Sequence, residues 1–426
     1  MNASNHQTYD VAIVGGGLAG LTAATLLGRA GKSVVVYERS DSLGGRAATR
    51  NIDGFHFNLG PHALYRGGHA MRVLEELAIT IDEAPVGTSG ATAVRDNVVH
   101  PLPGTLMSML RSQLLSFSGR MEVMRFFATV TRIDTRAQDH VPLEQYLNEH
   151  IRTRDARMFI ETLIRVATYS NTPRELSSGG ALDQFRAVLQ GGVTYLNSGW
   201  QTLVARLRDA ALAAGAIIHT GTAIRSLDTI PADVFILALP PKSVASILGK
   251  AAGPRLLQSI ENLKPVQAAC LDLGLRTLPE PTRTFSAGID QPFYFSVHSR
   301  WANLAPSGKV LIHVAKYLPW GEQTNPASDR EELAGFLDVV QPGWWKHVEH
   351  ERFMPRLNVT QSLVRAADGG LAGRPAVDAP AAENVYIAGD WVGNEGMLAD
   401  AAFASASRAA RLIVGARQPI LEAQAV

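Results

Sequence analysis

Residues 10–46 read DVAIVGGGLAGLTAATLLGRAGKSVVVYERSDSLGGR, and the order of features in this run decides the architecture. Residues 10–14 are nearly all apolar and β-branched or small, the pattern of a strand buried in a parallel sheet. Gly15, Gly17 and Gly20 follow at GxGxxG spacing. Gly15 permits the tight turn out of the strand, Gly17 lets the backbone approach a pyrophosphate, and Gly20 lets the next helix lie close to the strand. Residues 21–29 carry helix formers, Gly31 fits the helix stop, and residues 33–37 read as a second strand. The helix start around Leu18 and Ala19 offers free N–H groups and a partial positive charge to phosphates. Glu38 stands 21 residues after Gly17, where a carboxylate can accept ribose hydroxyls. The ordered series predicts a nucleotide-binding βαβ unit, and an acid at Glu38 disfavours a 2′-phosphate on the ligand.

Two further patches extend the reading. Gly44-Gly45-Arg46 lies six residues past Glu38, with Arg39 beside the acid. A bend at Gly44-Gly45 can bring backbone close to a phosphate that Arg46 neutralises. Residues 54–62, GFHFNLGPH, bring Gly60, Pro61 and His62 close behind. At the other end of the chain, residues 385–388 (VYIA) are strand-like and run into Gly389-Asp390. Gly389 allows close approach, and Asp390 can accept hydrogen bonds from hydroxyls. A loop over residues 391–396 leads through Met397 and Leu398 into an alanine-rich helix ending near Val414. Its N-terminus would stabilise negative charge developing in the crevice. Together the patches predict a long dinucleotide, FAD rather than NAD, lying across the sheet edge.

Composition bounds the rest. The 426 residues are 46% hydrophobic and 19% charged with a net charge of +1, so the chain is too apolar for disorder. At this length it holds roughly two to three domains' worth of chain. Balanced charge gives no electrostatic footprint for nucleic acid. The single cysteine, Cys270, excludes an intramolecular disulfide framework and any CxxC metal site. His56, His62, His69 and His100 lack metal-ligand spacing, so no metal is expected. Neither a GxSxG elbow nor a P-loop GK[ST] occurs. Residues 11–28 carry no charge, but they include five glycines and lack a basic flank, which argues against a signal peptide or a span. The expected localisation is cytoplasmic, with peripheral membrane contact left open.

These patches together resemble the FAD-dependent amine oxidase, phytoene desaturase and protoporphyrinogen oxidase superfamily. The resemblance implies an α/β fold. A Rossmann-type FAD-binding domain, discontinuous over residues 1–70, 196–245 and 361–426, is interleaved with an α+β substrate-binding domain over residues 71–195 and 246–360. It places Gly15, Gly17, Leu18, Ala19, Gly20, Glu38, Arg39, Gly45, Arg46, Gly60, Pro61, His62, Ile224, Gly389, Asp390, Met397 and Leu398 at a non-covalent FAD, Ile224 through its backbone at the adenine. The catalytic residues stay unassigned, with His62, Tyr65 and Trp391 as candidates. Some positions depart from the pattern. Asn58 stands where desaturases commonly carry aspartate, and His62 where they carry a Thr-like residue. Ala401 and Ala406 replace glycines of the final helix, which predicts two extra methyl groups near the flavin. Residues 266–275 lack the lysine that many amine oxidases place near flavin N5. The expected reaction is therefore phytoene-desaturase-like: hydride moves from a C–H to flavin N5 and a double bond forms in an apolar small molecule or secondary metabolite. The alternatives are oxygen-dependent amine oxidation and a redox-neutral FAD-dependent isomerisation.

Residues 64–194 read mostly helical, with apolar residues at helical spacing over 71–77 and 106–131. The second of these reads as a core or lid helix pair, or alternatively as a tunnel wall or a membrane-surface patch. Residues 265–360 read strand-rich.

Overall fold

A computed structural model describes residues 8–415. The opening run forms β1 (Tyr9–Val14), the middle of a five-stranded parallel sheet. On one side it pairs with β2 (Val34–Tyr37), which pairs with β3 (Ile217–His219); on the other it pairs with β4 (Ala232–Leu237), which pairs with β5 (Val385–Ile387). Val14 lies opposite both Tyr37 and Leu237, so the C-terminal strand ends share one edge. That edge is where open parallel sheets bind ligands. Val11, Ile13, Val35, Ile236 and Ile387 are fully buried against apolar groups of helix α1 (Leu18–Arg29) and of the final helix, α2 (Leu398–Gly415). Gly15 adopts φ +111, and a Cβ on Gly20 would collide with the Gly15 carbonyl, so the strand–helix turn admits no larger residue at either position.

A second sheet has seven strands in the order Val348–Thr360, Val266–Leu275, Val310–Leu318, Phe293–Val297, Phe285–Gly288, Ala91–Arg95 and Val98–Pro101. Its pairings are antiparallel except between Phe285–Gly288 and Ala91–Arg95. Alternation along Val266–Leu275 divides its side chains between two cores. Ala268 and Cys270 join a core with the helices Phe117–Thr129, Leu143–His150, Arg154–Thr168 and Ser178–Gly191. Ala269 and Leu271 join another, built on the helix Pro326–Val340.

Two details fill out the sequence expectations. Residues 64–194 are mostly helical, and Ala91–Arg95 with Val98–Pro101 add a hairpin on the sheet edge. Its two turn residues, Asp96 and Asn97, both have positive φ, the requirement of a two-residue hairpin turn. Residues 106–131 form the expected pair of helices. Thr105 and Ser116 each accept a first-turn N–H with their side chains, starting separate helices at Leu106–Leu110 and Phe117–Thr129.

Candidate flavin site

A cavity of about 980 Å³ lies along the C-terminal edge of the parallel sheet, lined by residues at or just past the ends of β1, β2, β4 and β5. This is at the upper end of ligand clefts, about 300–1,000 Å³, and long enough in composition to draw on widely separated parts of the chain. Helix α1 opens onto it with no side-chain cap and no acid in its first turn, so its N-terminal N–H groups are free to meet an anion. A Cβ on Gly17 would meet nothing nearer than Gly44 O at 3.8 Å, and one on Gly45 would meet nothing within 4 Å. Backbone is thus bared to the cavity at two points beside a helix N-terminus, which fits a pyrophosphate.

Glu38 stands at the end of β2. Its carboxylate accepts from Gly16 N at 2.8 Å and Ser40 N at 2.9 Å, which fixes its direction. Arg39, Thr222, Ile224, Arg225 and Lys242 line the cavity around it. Thr222, Arg225 and Lys242 escaped the sequence reading. Lys242 follows Pro241, which opens a helix at its first position, a local signal that could have marked the helix start.

Arg46 and Asp390 meet directly although 344 residues separate them. The guanidinium donates to both carboxylate oxygens, at 2.7 and 2.6 Å, and to Val359 O at 3.0 Å. Asp390 is only 4% exposed, whereas Arg46 is 42% exposed, towards the cavity it lines. Burial works against the Asp390 charge, but Arg46 and the hydrogen bonds from Arg46, Thr360 and Gln361 N hold its pKa below the ordinary value. Arg374 secures the loop behind: it donates to Asp390 O at 3.1 Å and to Gly396 O at 2.8 Å. Burial lowers its pKa to about 10, against the pull of Asp390. Neither the pairing nor Arg374 could be read from spacing, because each depends on which loops meet.

His62 lines the cavity next to Leu59, Pro61 and Ala63. Its Nδ1 lies 3.2 Å from Gly60 O and its Nε2 3.2 Å from Arg46 O. Burial lowers its pKa to about 4, so the ring is neutral and donates to one of these carbonyls only. Behind it sits a buried polar array. His313 Nδ1 is 2.7 Å from Asp272, Arg352 donates to the other Asp272 oxygen at 2.6 Å, and His298 packs edge-on to His313 at 4.4 Å.

Gly15, Gly17, Leu18, Ala19, Glu38, Arg39, Gly45, Arg46, Pro61, His62, Ile224, Gly389, Asp390 and Leu398 are brought together around this cavity. Other candidates lie elsewhere. Gly20 packs on Gly15, and Gly60 sits under Leu357 and Cys270, both cavity residues. Met397 is buried away from the cavity. Trp391 is 1% exposed in the core of the parallel sheet and donates to Leu239 O at 3.0 Å, so it holds the loop and has no face for chemistry. The Tyr65 hydroxyl is buried and donates to Ala167 O at 2.8 Å; burial pushes its pKa up, so it is a fixed donor. The two extra methyl groups also fall elsewhere. Ala401 and Ala406 are fully buried and line no part of the cavity, while Ala399 and Ala402 do. Asn58 ends a hairpin of Thr49–Ile52 with Phe55–Asn58 and ties it to Trp200: its Oδ1 accepts from Thr49 at 2.6 Å and from Trp200 N at 3.0 Å. Among the described residues no group of three His, Cys, Asp or Glu side chains could hold a metal ion.

A parallel sheet whose edge carries bared glycines, a free helix N-terminus, an acid at the end of the second strand and an Arg–Asp clamp defines a dinucleotide-dependent flavoprotein. The chain belongs to the flavin-containing amine oxidoreductase family, whose profile matches residues 18–414, and it is a FAD-dependent oxidoreductase. An oxidoreductase from Methanosarcina mazei superimposes with a TM-score of 0.75 at 19% identity, over 93% of this chain and 99% of that one. Putrescine oxidase, solved with putrescine, superimposes with a TM-score of 0.72 at 16% identity, over 96% and 99%. At such identities the likeness is one of fold. The carotenoid 3,4-desaturase of Haloarcula japonica is 50% identical over 52 residues, 12% of this chain and 10% of that protein. The match therefore spans about a tenth of that relative's length.

Proposed function

We propose that this protein is a dehydrogenase that takes hydride from a C–H of an apolar small molecule onto non-covalently held FAD and leaves a double bond. The observation that carries this reading is the surface at the His62 end of the cavity. Leu59, Pro61, Ala63, Leu357, Val359 and Leu398 supply apolar groups there, and the strand Val266–Leu275 presents Ala268 and Cys270, without a lysine. Lys264 is turned away, 2.9 Å from Glu175 and over the ring of Trp320. The short desaturase match supports the same choice of substrate.

When bound, FAD supplies the hydride acceptor. The residues of this chain hold and orient it. The α1 N-terminus and the bared backbone at Gly17 and Gly45 would take the pyrophosphate, Glu38 the ribose, and the α2 N-terminus the far end of the cofactor. The Asp390 charge is committed to Arg46, and both ring nitrogens of His62 face carbonyls. Burial pushes the pKa of Cys270 and of Tyr169 well up, which keeps both protonated. No side chain here is set up as a general base, so the second hydrogen leaves as a proton to water.

The test is anaerobic mixing of the FAD-loaded protein with a panel of polyenes, other apolar alkenes and amines, read by flavin absorption. Bleaching by an apolar compound, with a new double bond in the product, is expected. Bleaching by amines alone, with peroxide released in air, overturns the proposal in favour of amine oxidation. Product without net bleaching overturns it in favour of isomerisation.

A further inference from the structure

We infer that the helices Leu106–Leu110 and Phe117–Thr129 form a docking surface for one leaflet of a bilayer that carries anionic lipid. Eleven large hydrophobic side chains are exposed among the described residues, and five of them fall here: Leu106 at 67%, Met107 at 58%, Leu110 at 40%, Phe117 at 73% and Met121 at 49%. Phe117 and Met121 stand one turn apart on the same face of their helix. Such clustering marks an interaction site, where scattered apolar residues do not. The exposure is not a shortage of core. The inward side chains Met109, Leu114, Leu115, Val123 and Phe126 of the same segment are buried.

The outward groups also stand on a braced scaffold. The Arg120 side chain donates to the carbonyls of Leu110 and Leu115, tying the two helices together. Thr105 and Ser116 cap them, and Ser116 N donates to Asp155.

Charge selects the occupant. Arg111 and Arg125 are exposed, and neither side chain has an acidic partner among the described residues. The one acid on these helices, Glu122, is turned to the next helix, accepting from Arg152 N at 2.9 Å and Thr153 N at 2.8 Å. An apolar face framed by unpaired cations fits the interface of an anionic bilayer. A second copy of this chain would set the same arginines against each other. No helix among the described residues is long and apolar enough to cross a membrane, so the contact is with a surface. The inner side of the segment shares its core with Ala268, Cys270 and Tyr169, which line the cavity. Docking here would set that end of the cavity near the lipid. The inference goes beyond the redox reading and stands without it, because adsorption to lipid requires no turnover.

The test is flotation of the FAD-loaded protein with phosphatidylcholine vesicles, alone or with about 30% phosphatidylglycerol, at about 0.1 M salt. The wild type is expected to float with the anionic vesicles. Phe117→Ser with Met121→Ser should lower the bound fraction about tenfold or more while leaving the flavin spectrum unchanged. Arg111→Ala with Arg125→Ala should erase the preference for the anionic vesicles; this second pair lies wholly on the surface and carries the test if the first fails to fold. Wild-type protein that stays down with both vesicles overturns the inference. So does an apolar double variant that floats like the wild type, or an anionic preference that survives loss of both arginines. A dimer that Phe117→Ser with Met121→Ser dissociates, without flotation of the wild type, assigns the face to a second copy and also overturns it.

Discussion

Asp390→Asn isolates the contact that closes the flavin site. The substitution keeps the volume and removes the charge that accepts two hydrogen bonds from Arg46 and one from Gln361 N. Breaking a fully buried pair costs about 3–5 kcal/mol, most of it from the charge left behind. Here Asp390 is 4% exposed but Arg46 is 42% exposed, so the stranded guanidinium keeps some solvation. The cost should then fall to about 2–3 kcal/mol. For a chain of this length that lowers Tm by about 2–3 °C, measured by circular dichroism on FAD-free protein. The pH dependence gives a second check. The folded pKa of Asp390 lies below the ordinary carboxylate value, since Arg46 and three hydrogen-bond donors outweigh burial. Near pH 4 the unfolded chain therefore binds more protons at this residue than the folded one. The stabilisation is present above about pH 4 and lost as pH falls through the folded pKa. The gap in Tm between wild type and Asp390→Asn should be full at neutral pH and shrink on acidification. A variant that melts with the wild type at neutral pH, or a gap that persists undiminished in acid, refutes the reasoning.

Four further substitutions separate binding from folding. Gly17→Val should strip FAD from the purified protein yet leave the melting of FAD-free protein within about 1 °C of wild type, because the new side chain enters the cavity; Gly20→Ala should instead lower the melting temperature, because its methyl meets the Gly15 carbonyl. Removing the imidazole by His313→Phe leaves Asp272 fully buried with Arg352 alone and should cost about 2–3 kcal/mol in chemical denaturation; an unchanged midpoint means the pair is inert. Trp391→Phe removes the donor to Leu239 O and should cost about 1 kcal/mol while leaving turnover per bound FAD unchanged; a specific loss of turnover would restore Trp391 to the chemistry.

The first half of the site was legible because its chemistry is local. Gly15, Gly17, Gly20 and Glu38 act within one βαβ unit, where spacing along the chain is spacing in space. Val385–Ile387 was also readable as a strand, but its place beside Ala232–Leu237 follows only from the sheet order. The Arg46–Asp390 clamp, Arg374 and the His313–Asp272 pair were hidden because each depends on which loops or strands come to lie side by side. Tyr65 and Trp391 misled for the same reason. Closeness to a motif in sequence places a residue near the flavin only if its side chain turns that way, and both turn into core. The split of residues 106–131 was written in Thr105 and Ser116, whose capping hydroxyls compete with an unbroken apolar periodicity.

The 344-residue span between Arg46 and Asp390 orders events on the ribosome. The strand–glycine–helix unit emerges early, but its clamp waits for a further 344 residues after Arg46, and the exposed edge of Ala232–Leu237 likewise waits for its partner strand. A nascent chain can meet the nucleotide long before it can hold it. The clamp can close only once synthesis has passed Asp390, and a product truncated before Val385 carries the glycine motif without it.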